Sequence, residues 1–128
     1  MASCRALVVD DHAVVRNALR GLLTRAGIEV VAEAGSLAGA IDEARSANPD
    51  LVILDAMLPD SPGLTPLTTL AGMMPDVPIV YLGSDPDQHY AEQALRAGAI
   101  LYIAKEHADT QLAPLVAELG RTGLRRTA

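Results

Sequence analysis

Two hydrophobic patterns alternate five times along this chain, and no other feature of the sequence limits its fold as much. Short runs of consecutive apolar residues are typical of strands that are buried on both faces. They occupy residues 6–9, 51–54, 78–82 and 100–103, and residues 28–32, which contain Glu29, are predicted to be a further strand. Each run is followed by a segment whose apolar residues recur at helical intervals, at 13–26, 37–47, 64–73, 88–97 and 110–119. Strands that alternate with helices in this way form a parallel sheet with helices on both faces.

The alternation predicts an α/β fold for the 128 residues. Because crossover connections are right-handed, few arrangements of the sheet remain. We predict a flavodoxin-like, doubly wound (βα)5 three-layer sandwich with strand order 2-1-3-4-5, in which ligands bind at the C-terminal ends of the strands. Ser36 and Asp109 are predicted N-caps, and Gly27 is the predicted end of the first helix. We expect the domain to span residues 1–120 and residues 121–128 to be a basic tail or the start of a linker.

Four charged residues follow strands of this predicted sheet. Asp10 and Asp11 follow the first strand, Asp55 follows the third, and Lys105 follows the fifth. Parallel strands end at one edge of the sheet, so these side chains are expected to converge. Three carboxylates repel one another unless a cation lies among them, and hard oxygen ligands suit Mg²⁺. A carboxylate can also be the nucleophile that forms an aspartyl phosphate, and a lysine can pair with a phosphoryl oxygen.

Composition argues against several other kinds of function. The formal net charge is −6 and the pI is near 4.8, which disfavours direct binding of nucleic acid or of an anionic membrane. No apolar run is long enough to span a bilayer, and the N-terminus lacks a signal-peptide pattern. The single cysteine, Cys4, fits a reducing compartment, and we expect a cytoplasmic location. No glycine-rich phosphate loop follows any of the strands.

Three stretches of sequence, each at a strand end, carry a resemblance to a known family. They are Val8–His12 (Val-Val-Asp-Asp-His), Leu54–Gly63 (Leu-Asp-x-x-x-Pro-x-x-x-Gly) and Arg96–Lys105 (Arg-Ala-Gly-Ala-x-x-Tyr-x-x-Lys). Together they resemble the receiver domain of two-component response regulators, over nearly the whole chain. The Asp-Asp-His and Arg-Ala-Gly-Ala forms are most similar to the subfamily whose members carry a C-terminal LuxR-type helix-turn-helix domain.

The resemblance implies a role for each matching residue. Asp55 would be the phosphoacceptor, and Lys105 would hold the phosphoryl group. Asp11 and Asp55 would bind Mg²⁺ directly, Asp10 would act through water, and the backbone carbonyl of Met57 would supply another oxygen. The resemblance also implies a sensor histidine kinase as the partner and leaves a homodimer open. The chain would act as an enzyme only on itself, in its own phosphorylation and dephosphorylation.

One position of the switch departs from the family. Its members carry Ser or Thr at the end of the fourth strand, where the hydroxyl bonds the phosphoryl group, and this chain has Gly83 there. Ser84 comes next, but strand alternation would direct it to the other face unless glycine introduces a bulge. Tyr102 matches the aromatic position that reorients on activation. Two smaller departures are Leu101, where glycine is common, and Glu106, where proline is common.

Three functions follow as hypotheses. The leading one is a phosphoacceptor receiver that controls transcription through a DNA-binding domain outside this chain. The alternative, motivated by Gly83, is a degenerate receiver that acts as a phosphorylation-independent interaction module. The third is an aspartate-nucleophile phosphatase, which needs a second aspartate two residues after the nucleophile, where this chain has Met57.

Overall fold

The computed structural model describes residues 4–84 and 88–122. Five strands form the main sheet: β1 (Cys4–Val9), β2 (Ile28–Ala34), β3 (Leu51–Asp55), β6 (Ile79–Gly83) and β7 (Leu101–Ala104). Two short strands, β4 (Met57–Leu58) and β5 (Ser61–Pro62), form an antiparallel pair after β3. The helices are α1 (Ala13–Arg25), α2 (Leu37–Ala47), α3 (Thr65–Met73), α4 (Gln88–Arg96) and α5 (Ala108–Thr122), and a 3₁₀ turn (Lys105–His107) precedes α5.

The main sheet is parallel and its strands lie in the order β2-β1-β3-β6-β7. Without the small β4–β5 pair this is the order 2-1-3-4-5, so the predicted flavodoxin-like fold is confirmed. Alternate residues of the central strands enter two apolar clusters, one on each face. Leu7, Val52 and Tyr81 belong to one cluster, whereas Val8, Ile53 and Val80 belong to the other. Both faces of the sheet are therefore covered, as continuous apolar runs require.

Two of the three predicted helix boundaries are confirmed. Ser36 precedes α2, and its hydroxyl accepts a hydrogen bond from the Gly39 N–H at 3.1 Å. Gly27 follows the end of α1 with φ +83°, a conformation that glycine adopts without strain. The prediction for Asp109 is wrong, because the 3₁₀ turn brings the chain into α5 at Ala108, and Asp109 lies in the first helical turn. A negative charge there still favours the helix through its dipole.

The helix α5 continues to Thr122, beyond residue 120, and residues 123–128 of the predicted tail lie outside the described part. The division of the chain at residue 120 stays a prediction. No helix among residues 4–84 and 88–122 is both long and apolar enough to cross a bilayer.

Candidate functional site

Two buried carboxylates lie side by side at the C-terminal edge of the sheet. Strands β1 and β3 are neighbours in a register that pairs Val9 with Leu54, so Asp10 and Asp55 are the next residues of the two strands. The exposed fraction is 0% for Asp10 and 1% for Asp55. Burial of a charge is costly unless it is paired or hydrogen-bonded, so two adjacent buried carboxylates need a counter-charge.

Lys105, the only lysine of the chain, supplies that charge. Its Nζ lies 2.8 Å from Oδ1 of Asp55 and 3.3 Å from Oδ2 of Asp10. The position follows β7, which is two strands away from β3, and the long side chain bridges this distance. Burial lowers the pKa of Lys105, but the hydrogen bond and the charge of Asp55 outweigh that effect, and the pKa lies above its usual value. The ammonium is therefore held in its charged form between the two carboxylates.

Backbone N–H groups fix the orientation of both carboxylates. The N–H of His12 donates to Oδ1 of Asp10 at 2.9 Å, and the N–H of Met57 donates to Oδ1 of Asp55 at 3.1 Å. In each case the donor is two residues beyond the aspartate, which is the usual pattern of an aspartate that ends a strand and opens a loop. The other oxygen of Asp55, Oδ2, is buried and accepts no hydrogen bond from any described residue.

Burial has the largest effect on the pKa of Asp55 and raises it. The hydrogen bonds from Lys105 and Met57 oppose this effect, and the charge of Asp10 adds to it. The net result is a pKa above the usual value. A further cation near Asp55 would favour its charged form.

The donor set fits a divalent cation. Asp10, Asp11 and His12 offer ligand atoms that all lie within 4.8 Å of one another. Together with Asp55 the site holds three carboxylates and one ammonium, which leaves two negative charges for a cation to balance. Hard carboxylate oxygens suit Mg²⁺, and the unpartnered Oδ2 of Asp55 is a further oxygen. Met57 contacts Asp55 through its N–H, and its carbonyl as a metal ligand stays a prediction.

A second group of charges supports this edge of the sheet and was not predicted from the sequence. The guanidinium of Arg16 donates to the backbone carbonyl of Asp10 at 2.6 Å and, through Nε, to Glu33 at 3.2 Å. Arg20 also pairs with Glu33. Nδ1 of His12 lies 3.0 Å from the carboxylate of Asp11. Polar residues on α1 and β2 have no sequence pattern that separates them from ordinary solvated residues, so only the fold reveals their role.

A further contact that was not predicted from the sequence joins the β4–β5 segment to α2. The carboxylate of Asp60 accepts hydrogen bonds from the N–H groups of Leu37 at 2.9 Å and Ala38 at 3.2 Å. With the bond from Gly39 to Ser36, the first three N–H groups of α2 all have acceptors. The hydrogen bonds, that from Leu37 foremost, hold the pKa of Asp60 below its usual value. The segment after Asp55 is thereby anchored to a helix end.

The predicted switch residues lie on β6 and β7 or directly after β6. Gly83 is buried at the end of β6, and the pairing of β6 with β7 continues without a register shift to Gly83 and Ala104. No bulge therefore interrupts this pair, and Ser84 is exposed. Tyr102 is half-buried and packs against the rings of Tyr81 and Tyr90.

Comparison with known proteins agrees with this geometry. Residues 6–117 match the model of the response regulator receiver domain. The chain is 37% identical over 117 residues to the DNA-binding transcriptional activator DevR/DosR of Mycobacterium tuberculosis, covering 91% of this chain and 54% of that protein. It is 34% identical to the chemotaxis protein CheY of Bacillus subtilis, covering 79% of this chain and 84% of CheY.

Among solved structures, a two-component response regulator of the LuxR family from Aurantimonas sp. superposes with a TM-score of 0.86 at 29% identity. That match covers 98% of this chain and 90% of that one. It fits the resemblance to the subfamily with a LuxR-type helix-turn-helix. The chain spans about half the length of DevR/DosR. On the family match and these relatives, the chain belongs to the response regulator receiver domains of two-component systems.

Proposed function

We propose that Asp55 accepts a phosphoryl group from a sensor histidine kinase, with Mg²⁺ bound at the same edge of the sheet. One observation carries this proposal. Oδ1 of Asp55 is held by Lys105 and by the N–H of Met57, whereas Oδ2 is buried and receives no hydrogen bond from the described part of the chain. Because Oδ2 accepts no hydrogen bond, its lone pairs remain free for a bond to a metal ion or to phosphorus, and the contacts of Oδ1 already orient the carboxylate.

The reaction transfers the phosphoryl group between two side chains. A lone pair of the Asp55 carboxylate forms an O–P bond, and the N–P bond to the kinase histidine breaks. The electron pair of that bond returns to the imidazole nitrogen, and because the other ring nitrogen of the phosphohistidine carries a proton, the histidine leaves as neutral imidazole. Negative charge on the phosphoryl oxygens remains near the acceptor, and the Lys105 ammonium is placed to pair with one of them.

Asp10, Asp11 and Asp55 would hold the cation, which supplies charge neutralisation for the transferring phosphoryl group. The residues of this chain perform the other tasks. The N–H groups of His12 and Met57 keep the carboxylates from rotating, and Arg16 fixes the backbone of Asp10. Positioning and electrostatic stabilisation are the main contributions that proteins make to phosphoryl transfer.

The proposed output is control of transcription in the cytoplasm, through a DNA-binding domain that lies outside this chain. The relative DevR/DosR is described as a DNA-binding transcriptional activator, and the solved structure from Aurantimonas as a LuxR-family regulator. The acidic receiver itself, with a net charge of −6, is not expected to contact DNA.

The test is incubation of the protein with Mg²⁺ and acetyl phosphate, followed by intact-mass measurement. We expect one phosphoryl adduct on the wild type and none on Asp55→Ala. The matched control is Asp42→Ala, which removes an exposed carboxylate of α2 and should keep the adduct. Absence of an adduct on the wild type, or an undiminished adduct on Asp55→Ala, would overturn the proposal.

A further inference from the structure

The ring of Tyr102 occupies the space that a side chain at position 83 would need. Strands β6 and β7 pair Tyr81 with Tyr102 and Gly83 with Ala104. A β-carbon built on Gly83 would lie 2.2 Å from Oη of Tyr102 and 2.7 Å from both Cε2 and Cζ. Real β-carbons are essentially never found closer than 3.0 Å to another heavy atom. Any residue other than glycine at position 83 would therefore have to displace the ring.

The backbone itself does not require glycine at this position. The described glycines with positive φ are Gly27, Gly63 and Gly98, and Gly83 is not among them. An L-residue could adopt the conformation of Gly83 without strain. Glycine is required here because there is no space for a β-carbon. The three atoms closest to the added carbon all belong to Tyr102.

Aromatic packing holds the Tyr102 ring in this position. Tyr81, Tyr90 and Tyr102, which we call the tyrosine cluster, are all the aromatic residues of the chain. The centroid of Tyr102 lies 6.2 Å from that of Tyr81 and 5.8 Å from that of Tyr90, with an edge-to-face angle of 70° to Tyr90. These distances are within the range of favourable aromatic pairs. The cluster links β6, α4 and β7.

We propose that Gly83 keeps Tyr102 permanently in this position beside β6, so that the ring stays in place whether or not Asp55 carries a phosphoryl group. No side chain competes with the ring at position 83, and the nearest hydroxyl in sequence, that of Ser84, belongs to an exposed residue. The surface formed by α4 and β7 then keeps one arrangement of Tyr102 in both states. The second half of this proposal rests on the proposed function of Asp55, whereas the role of Gly83 does not.

The experiment measures nuclear Overhauser effects (NOEs) between the Tyr102 ring protons and the α-protons of residue 83, in protein labelled on tyrosine rings. Tyr102→Phe assigns the Tyr102 signals. In the wild type we expect the NOE before and after treatment with acetyl phosphate and Mg²⁺, with phosphorylation verified by intact mass. In Gly83→Ala we expect it to be lost. The matched control is Gly72→Ala in α3, where an added β-carbon would have no atom within 4 Å, and it should keep the NOE.

Two results would overturn the proposal. One is loss of the NOE on phosphorylation of the wild type, which would show that Tyr102 moves between states. The other is retention of the NOE in folded Gly83→Ala, which would show that glycine does not hold the ring. If no adduct forms, the proposed function of Asp55 fails, and the comparison of Gly83→Ala with Gly72→Ala still decides the role of Gly83. If Gly83→Ala does not fold, the wild-type comparison decides instead.

Discussion

Replacement of Lys105 by methionine should destabilise the protein by about 3 kcal/mol when no divalent cation is present. At an effective dielectric constant of about 20, the attraction at 2.8 Å to Asp55 is about 6 kcal/mol and that at 3.3 Å to Asp10 is about 5 kcal/mol. Release of the ammonium from its desolvated position offsets several kcal/mol of this loss, and breaking a buried pair typically costs about 3–5 kcal/mol. The Lys105 side chain is 28% exposed, so water reaches the site. We therefore expect a loss at the lower end of this range of free energies. Methionine keeps the apolar stem.

The assay is urea denaturation in EDTA, followed by far-UV circular dichroism because the chain has no tryptophan. Arg45→Met, which removes an exposed cation from the last turn of α2, is the control and should change the free energy of unfolding by less than about 0.5 kcal/mol. The double variant Lys105→Met/Asp55→Asn should recover part of the loss, because one unpaired carboxylate is removed. A Lys105→Met protein as stable as the wild type would refute the view that the ammonium offsets the buried charges.

Three further predictions concern pH and hydrogen bonding. Burial raises the pKa of Asp55 above 3.8 in the folded protein, so its contribution to stability is present at low pH and is lost as pH rises through the raised pKa. Asp55→Asn should therefore be more stable than the wild type at pH 7 in EDTA, and their difference should shrink in urea titrations at lower pH; a less stable variant at pH 7 would contradict this. Asp60→Ala should lower the melting temperature at pH 7. Because the pKa of Asp60 in the folded protein lies below 3.8, the difference in melting temperature should vanish as pH falls through that pKa. An equal difference at all pH values would argue against Asp60 as a cap of α2. Tyr81→Phe removes the donor to the Gly63 carbonyl at 2.9 Å and should cost about 1 kcal/mol in urea denaturation, because the exposed Gly63 can bind water instead; no loss would show that the bond contributes nothing.

The fold and the meeting of charged residues could be predicted because both depend on patterns that are local in sequence. Continuous apolar runs identify buried parallel strands, and the parallel topology then brings all strand ends to one edge. Asp10 and Lys105 are the first residues after β1 and β7, and Asp55 is the last residue of β3. Their contacts at 2.8 and 3.3 Å follow from topology together with the length of the lysine side chain. The chemical roles of these residues remain proposals.

The supporting contacts could not be predicted, because they join residues that no periodicity relates. Asp60 caps α2 from 22 to 23 positions away in sequence, whereas the cap from Ser36 is visible in the local pattern. Arg16 reaches the backbone of Asp10 only because α1 packs beside the edge of β1. The short β4–β5 pair likewise lies in a stretch with Pro59, Pro62 and Gly63, which carries no strand pattern. A polar side chain could pair with many other groups, and only the folded structure determines which of them lies close enough.

The missing hydroxyl at position 83 is visible in the sequence, but its consequence for the position of Tyr102 is visible only in the structure. The sequence shows that a hydroxyl is missing at the end of β6, and this alone suggests that adding one would restore the usual switch. The contact of 2.2 Å between Tyr102 and an added β-carbon argues otherwise, because serine or threonine at position 83 would first have to expel the ring. The new hydroxyl and the displaced Tyr102 would then change together. Positions 83 and 102 are therefore one structural unit in this receiver domain, and a substitution at either must be interpreted through its effect on the other.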